Sequence, residues 1–119
     1  MKLETERLIL RMFAEKDIDQ YAQICADSEV MRYIGKGDVL SKEDAWWEVA
    51  GFLGHWQLKG YGMWAVEKKQ SGECIGRVGF LCPEGWPGFE IGWLLGREHW
   101  GKGYATEAAV TALAFGRHK

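Results

Sequence analysis

Hydrophobic residues recur at helical spacing in three separate stretches of the chain. The first runs from Ile18 to Cys25, the second extends from about Lys42 to Lys59, and the third begins near Tyr104. Ser41, followed three residues later by Asp44, forms a variant of a capping box before the second stretch. The pattern therefore predicts three amphipathic helices. Their predicted buried faces are Ile18, Tyr21, Ala22 and Cys25 in the first helix, Ala45, Val49, Phe52, Leu53 and Trp56 in the second, and Ala105, Ala108, Ala109, Ala112, Leu113 and Gly116 in the third.

Shorter apolar runs between turn residues predict four strands. The last three runs are separated only by Gln70-Ser71-Gly72 and by the Pro- and Gly-containing stretch 83–88, which favours an antiparallel meander. Residues 28–40 lack a sustained period and are predicted to form a loop with a helical turn around Val30 to Tyr33. The order of elements predicts an α+β fold in which a mostly antiparallel sheet is flanked by helices. The predicted strands are Arg7 to Met12, Met63 to Lys68, Cys74 to Leu81 and Phe89 to Leu95.

Length, charge and cysteine content exclude several classes of protein. The 119 residues, 47% of them hydrophobic, fit a single globular domain over residues 1–119. Fifteen Lys and Arg against 17 Asp and Glu give a net charge of -2, so there is no general basic field for a nucleic acid. The N-terminus does not resemble a signal peptide, and no apolar stretch approaches the roughly 20 residues of a membrane span. Three cysteines without a CxxC pair indicate neither a disulfide framework nor a zinc site. We therefore expect a cytoplasmic domain that binds no nucleic acid, membrane or metal.

Glycine is in excess, and its placement between Glu90 and Glu107 points to chemistry. The chain has 16 glycines among its 119 residues, a share nearly twice the average usage of about 7%. The segment reads in succession as a strand, a glycine-containing loop and the start of a helix. Gly101 and Gly103 allow several backbone N–H groups to converge on one point, where the helix dipole adds a partial positive charge. Together with the charge of Lys102 and Arg97, this pattern predicts a phosphate or pyrophosphate site.

Three other interpretations of the loop stay open at this level. A Gly-x-Gly sequence is also common in simple turns. The spacing from Gly96 to Gly101-Lys102 approaches a Walker A loop, but Gly103 stands where a Ser or Thr hydroxyl must hold magnesium. A dinucleotide fingerprint requires a further Gly or Ala and an acidic residue about 20 positions later, beyond the end of this chain.

The segment Trp100-Gly101-Lys102-Gly103-Tyr104-Ala105 resembles the acyl-coenzyme A loop of the GNAT acetyltransferase superfamily, Gln/Arg-x-x-Gly-x-Gly/Ala. Its continuation through Thr106-Glu107-Ala108 is similar to the branch related to ribosomal-protein alanine N-acetyltransferases. The opening segment Glu4-Thr5-Glu6-Arg7-Leu8-Ile9-Leu10-Arg11 resembles the N-terminus of that branch. Trp100 departs from the general Gln/Arg position, which affects a side-chain contact to phosphate but not the backbone contacts.

The resemblance implies an acetyl-coenzyme A site between the last strand and the following helix. In the family, the pantetheine arm pairs with the backbone of this strand, and one amide, here Leu94 or Leu95, polarises the thioester carbonyl. The acceptor is a primary amine of a protein N-terminus or a small molecule, which attacks directly in a ternary complex. The residues implied in cofactor binding are Trp93, Leu94 and Leu95 in the strand and Trp100, Gly101, Lys102, Gly103, Tyr104, Ala105 and Thr106 in the loop and helix.

The amine must lose a proton before it attacks, so the resemblance also implies a general base near the strand. Glu90 is the candidate, because many family members have a carboxylate at the corresponding strand position. A solvent-facing strand carboxylate is the alternative interpretation. Glu98 and His99 are lesser candidates.

Family members normally continue beyond the helix that starts near Tyr104, with a splayed strand, another helix and a final hairpin. We therefore expect a fold that is incomplete at the C-terminus, either as part of a longer protein or as a chain that completes its sheet by forming a homo-oligomer. A noncatalytic coenzyme A-binding or interaction module is the alternative to the enzyme.

Overall fold

The computed structural model describes residues 2–88 and 90–117. In this part of the chain, five strands form one antiparallel sheet in the order β1-β2-β3-β4-β5, with helices packed on both faces. The strands are β1 (Leu3–Glu4), β2 (Leu8–Arg11), β3 (Met63–Lys68), β4 (Glu73–Leu81) and β5 (Glu90–Leu95). The helices are α1 (Ile18–Cys25), α2 (Ser28–Met31), α3 (Lys42–Lys59) and α4 (Tyr104–Gly116), with 3-10 turns at Glu15–Asp17 and Arg97–His99.

The predicted α+β fold and its meander are confirmed, with small differences at the ends of elements. The first predicted strand, Arg7 to Met12, corresponds to β2 and is shorter, at Leu8–Arg11. Strand β4 begins one residue earlier than predicted, at Glu73. Phe89, the predicted first residue of β5, lies outside the described residues. Sequence analysis missed β1, because two residues are too few to show an alternating pattern. The helical turn lies at Ser28–Met31 rather than around Val30 to Tyr33, since Asp27 caps it by accepting a hydrogen bond from the Glu29 N–H at 3.0 Å.

Separate hydrophobic clusters lie on the two faces of the sheet. One cluster joins α1 and α3 to the sheet through side chains that include Tyr21, Phe52 and Leu94. The other joins α4 to the opposite face and includes Trp64 and Leu95. Leu94 and Leu95 point to opposite clusters because successive strand residues alternate between faces. Strand β5 is thus held from both sides, and β4, buried from Cys74 to Phe80, lies at the centre of the fold.

Two predicted core residues lie instead at the surface. Leu53 is 39% exposed and Leu113 is 46% exposed. Each helix contacts the sheet through residues spaced three or four apart. Leu53 and Leu113 each directly follow such a residue in the chain, and one step along a helix turns the side chain by about 100°, away from the sheet. Trp56 is half-buried, and its indole Nε1 donates to the Met63 carbonyl at 2.7 Å. The buried stripes are Ala45, Val49 and Phe52 in α3 and Tyr104, Ala108 and Ala112 in α4.

Strands β4 and β5 approach each other closely at Gly76. A Cβ atom at this position would lie 2.0 Å from the Leu94 carbonyl oxygen, so no larger residue fits without moving the backbone. The absence of a side chain lets Gly76 pair with Leu95 and Arg77 pair with Leu94. This contact fixes the register of β5, the strand on which the candidate site depends.

A buried charged residue, Arg77, directly follows Gly76 in β4, and its side chain lies on the face of the sheet covered by α1 and α3. Arg77 is 9% exposed, and its Nε donates to the Tyr21 hydroxyl at 2.8 Å. The Tyr21 hydroxyl in turn donates to the Glu48 carboxylate. Burial is the main cause that raises the pKa of Tyr21 well above its usual value, so the phenol stays neutral. The hydroxyl thereby connects the buried guanidinium to a partly exposed carboxylate.

None of the described helices combines the length and the apolar character needed to cross a membrane.

We predict that Tyr21→Phe lowers the free energy of unfolding by about 2 to 3 kcal/mol, because the buried guanidinium loses its hydrogen-bond acceptor. Urea denaturation measures this loss. Tyr33→Phe is the matched control, since Tyr33 is 83% exposed and loses the same hydroxyl at the surface. Equal stabilities of the two variants would contradict this account of Arg77.

Candidate functional site

The outer edge of β5, opposite β4, presents backbone groups that the described strands leave unpaired. The Gly96 N–H donates to the Ile75 carbonyl at 2.9 Å, and the register pairs Leu94 with Arg77. In an antiparallel pair, alternate residues direct both their N–H and C=O toward the partner strand. Leu94 therefore faces β4, whereas the N–H groups of Trp93 and Leu95 point to the outer edge. Of the two amides that sequence analysis left open, Leu95 is the one directed outward.

A mainly apolar cavity of about 200 Å³ lies beside this outer edge. Two side chains from the α2 region, Val30 and Ile34, form one wall. The opposite wall comes from the end of β5, the loop that follows it and the start of α4. The lining residues on that side are Trp93, Leu94, Leu95, Trp100 and Ala105.

The glycine-containing loop encloses a second cavity, of about 310 Å³, at the N-terminus of α4. Gly101 and Gly103 have φ values of +77° and +82°, in the left-handed region that favours glycine. The Glu107 N–H makes the first intrahelical bond, to the Gly103 carbonyl at 3.0 Å. The N–H groups of residues 104–106 precede this bond and have no acceptor within the helix. The lining residues are Leu95, His99, Trp100, Gly101, Gly103, Tyr104, Ala105 and Thr106.

Trp100 lies between these two cavities and lines both. Its indole Nε1 donates to the Leu95 carbonyl at 3.1 Å, while the side chain remains 48% exposed. This hydrogen bond occupies the outward carbonyl of Leu95 and leaves the outward Leu95 N–H available. The indole ring thus joins the strand edge to the glycine loop.

The charges at the loop differ from those that the sequence suggested. Arg97 pairs with Asp27, with 3.2 Å between Nε and Oδ2, and is not among the residues that line the cavity at the glycine loop. Lys102 is exposed on the loop itself. A cation that sequence analysis did not place there, Arg7, has its Cζ 4.3 Å from the ring centroid of Tyr104. Arg7 belongs to the N-terminal segment that carried part of the family resemblance. The contact of Arg7 with a loop 95 residues away could not be deduced from one sequence.

Glu90 lies at the start of β5 and is exposed. It pairs with Leu81, which packs against the α1 and α3 cluster, so alternation places Glu90 on the same face as Leu94. Leu95 lies five positions after Glu90, which corresponds to about 17 Å along an extended strand. The carboxylate and the outward amide are therefore on one strand but not in contact.

His99, a lesser candidate for the general base, is buried. The imidazole is 6% exposed, and its ring lies edge-on to Tyr104 with 6.1 Å between centroids. Its Nε2 is 3.5 Å from the Glu98 carboxylate, whereas Nδ1 is buried with no hydrogen-bond partner among the described residues. Glu98 itself is 72% exposed. His99 thus supports the loop from behind, and Glu98 stays in solvent.

Among residues 2–88 and 90–117, no three or more His, Cys, Asp and Glu side chains are grouped so as to hold a metal ion.

The sequence-family model of the GNAT acetyltransferase domain matches residues 7–119 of this chain. An uncharacterized N-acetyltransferase of Bacillus subtilis, YoaA, is 32% identical over 115 residues, which cover 96% of this chain and 65% of the relative. The crystal structure of an acetyltransferase from Agrobacterium tumefaciens is 35% identical with a TM-score of 0.83, and the match covers 97% of this chain and 66% of that chain. A ribosomal L7/L12 alpha-N-protein acetyltransferase in complex with coenzyme A is 18% identical with a TM-score of 0.71, covering 97% of this chain and 66% of that chain, and shares the fold.

The chain belongs to the GNAT acetyltransferase domain family, because the family model covers almost its entire length. The chain spans about two thirds of the length of the relatives that it matches.

We predict that alanine substitutions at Gly101 and Gly103 both lower stability, and that Gly103→Ala has the larger effect. Each variant places a Cβ in the left-handed region, at a cost of about 1 to 2 kcal/mol. A Cβ at Gly101 contacts nothing within 4 Å, whereas a Cβ at Gly103 lies 3.3 Å from Arg7 Nη2. Denaturation of both variants measures the difference. A larger loss for Gly101→Ala would contradict the described contact between Arg7 and the loop.

Proposed function

We propose that residues 1–119 form one domain that transfers an acetyl group from acetyl-coenzyme A to a primary amine. The acceptor is the N-terminus of a protein or a small molecule, and it attacks directly in a ternary complex. One observation carries the proposal: the outward Leu95 amide lies immediately beside a glycine loop at a helix N-terminus, with Trp100 lining the cavity on each side. A thioester donor with a pyrophosphate tail needs both features.

The two cavities suit the two ends of acetyl-coenzyme A. The pyrophosphate binds the amides of residues 101–106, at a helix N-terminus where the helix dipole favours negative charge. The pantetheine arm lies along the outer edge of β5 and pairs with the backbone of Trp93 and Leu95, which faces outward. The apolar side chains of Val30 and Ile34 cover this arm from the other side. Leu94 contributes its side chain to the cavity rather than its amide.

The Leu95 N–H is the proposed donor to the thioester carbonyl oxygen. As the amine nitrogen attacks the carbonyl carbon, negative charge develops on that oxygen, and a fixed donor stabilises it. The attack forms the C–N bond, and the amine gives up a proton to the general base. The carbonyl then re-forms as the C–S bond breaks, and the departing thiolate takes a proton from solvent. Because β4 and the close contact at Gly76 hold the strand, this amide is in place before the substrate binds.

Glu90 is the proposed general base, acting through water. The spacing of about 17 Å along the strand excludes direct contact with an amine at Leu95, so a chain of several water molecules must carry the proton. The same spacing favours the second candidate function, a domain that binds coenzyme A without catalysing transfer. A nucleotide-binding P-loop is the weaker alternative, because Gly103 has no hydroxyl for magnesium.

The cellular compartment of the protein remains a prediction. The three cysteines are free, with Cys25 and Cys74 buried, which suits the reducing cytoplasm that we expect. Burial is the main cause that raises the pKa of Cys25 to about 11 and of Cys74 to about 12, so neither buried thiol is a nucleophile at neutral pH.

We predict that acetyl-coenzyme A binds this chain with micromolar affinity, about -8 kcal/mol, whereas magnesium ATP does not bind. Calorimetric titration of both ligands tests the proposal.

Glu90→Gln should bind acetyl-coenzyme A normally but lose turnover by about 100-fold, as expected for a general base. Glu84→Gln is the matched control, because Glu84 is an exposed carboxylate in the stretch that precedes β5 and has no proposed role in the site.

The outcomes separate the candidate functions. Binding without turnover in the unsubstituted chain would favour the noncatalytic module. Unchanged turnover in Glu90→Gln would remove Glu90 as the base but leave the enzyme intact. Magnesium-dependent ATP binding would replace both interpretations with a nucleotide site.

We also propose that a homo-oligomer forms by completion of the sheet at the outer edge of β5. The pantetheine arm and a second chain would then compete for the same outward groups of Trp93 and Leu95. Sedimentation velocity should show an oligomer that dissociates as acetyl-coenzyme A is added. A monomer at all concentrations, or an oligomer that the ligand leaves unchanged, would contradict this edge-to-edge contact.

A further inference from the structure

The N-terminal segment is tied to the start of α4 through one carboxylate. Glu107, in the first turn of α4, accepts a hydrogen bond from the Thr5 hydroxyl. It also accepts from the Arg7 backbone N–H at 2.9 Å and from Arg7 Nε at 2.7 Å. Partial burial acts to raise the pKa of Glu107, but these hydrogen bonds and the charge of Arg7 outweigh it and hold the pKa below the usual value. The carboxylate is therefore ionised and accepts three hydrogen bonds from Thr5 and Arg7.

Arg7 extends from this carboxylate to the glycine loop. Its Nη1 donates to the Lys102 carbonyl at 2.9 Å, and its guanidinium lies over the ring of Tyr104. The side chain passes close to Gly103, whose missing Cβ would lie 3.3 Å from Nη2. One guanidinium therefore contacts the helix, the loop and the aromatic side chain that begins α4.

The contact with the Lys102 carbonyl has a geometric consequence. In a planar trans peptide, the C=O of one residue and the N–H of the next point in opposite directions. The hydrogen bond from Arg7 holds the Lys102 carbonyl on its own side, so the Gly103 N–H is turned away from Arg7. The Gly103 peptide lines the cavity at the N-terminus of α4.

We propose that Arg7 is a positioning residue for the pyrophosphate-binding loop: it orients the Lys102–Gly103 peptide so that the Gly103 amide serves the anion site. This inference rests on the proposed function. Arg7 acts through the loop and not by touching the reacting atoms. A lysine cannot replace it, because a single ammonium group lacks the planar fork that reaches Glu107 and the Lys102 carbonyl together.

This role predicts a loss that depends on the phosphate part of the ligand. Coenzyme A contains the pyrophosphate, whereas pantetheine contains only the arm that lies along β5. A loosened loop should weaken the first ligand and not the second. A residue that merely stabilised the fold would affect both ligands equally.

The test compares coenzyme A and pantetheine as ligands of Arg7→Lys, measured by titration and by ligand-observed NMR. We expect coenzyme A affinity to fall by about tenfold, as for loss of a charge-assisted contact, and pantetheine affinity to stay unchanged. Lys69→Met is the matched control, because the Lys69 ammonium donates to the Thr5 carbonyl at 2.7 Å and pairs with Glu4 but has no described contact with the loop. Glu107→Gln is a second variant, which keeps the shape of Glu107 but removes the charge that holds Arg7; it should show the same selective loss.

The results distinguish failure of this inference from failure of the proposed function. If the unsubstituted chain binds coenzyme A and Arg7→Lys binds it equally well, the role of Arg7 is overturned while the cofactor stands. Equal loss of both ligands, or the same loss in Lys69→Met, would also overturn it. If the unsubstituted chain binds pantetheine but gains nothing from the phosphates, the loop is not a pyrophosphate site and the proposed function fails with it.

Discussion

The Glu107 carboxylate is the constraint on which the geometry of the candidate site depends. It receives three hydrogen bonds from Thr5 and Arg7 and so joins the turn between β1 and β2 to α4. Through Arg7 the same network reaches the carbonyl of Lys102. The glycines make the loop conformation accessible, but glycine alone does not select one conformation. The ion pair supplies that selection, because it ties the loop to two elements that the sheet already holds.

The second half of the site follows from the position of β5 in the sheet. One side of the strand is committed to β4, where Gly76 permits close approach, and the other side leaves the backbone of Trp93 and Leu95 facing outward. Because Leu94 and Leu95 are anchored in opposite clusters, the strand has little freedom to rotate. Trp100 then connects this rigid edge to the loop through the Leu95 carbonyl. An edge strand and a helix N-terminus together form the two parts of one elongated site.

The sequence predicted most of the elements, because these depend on local patterns, whereas the location of the site remains a prediction. Hydrophobic spacing determined three helices and the β3–β5 meander, and the glycines with the family resemblance indicated the loop. Contacts distant in sequence could not be predicted in this way. Arg97 is locally adjacent to the loop yet pairs with Asp27, whereas Arg7 is far away in sequence yet contacts it. The outward direction of the Leu95 amide likewise required the register with β4. Leu113 was predicted to be buried but is exposed, because spacing alone does not show how wide a stripe the sheet buries.

Amide NMR of this chain during titration with acetyl-coenzyme A tests the central claim most directly. The account predicts that the largest shifts occur at the N–H groups of Leu95 and of residues 101–106, and at the indole N–H of Trp100. Shifts confined to the polar cavity that Gln20, Asp27 and Glu73 line on the other side of His99 would contradict it. Absence of any shift at saturating acetyl-coenzyme A would contradict it as well.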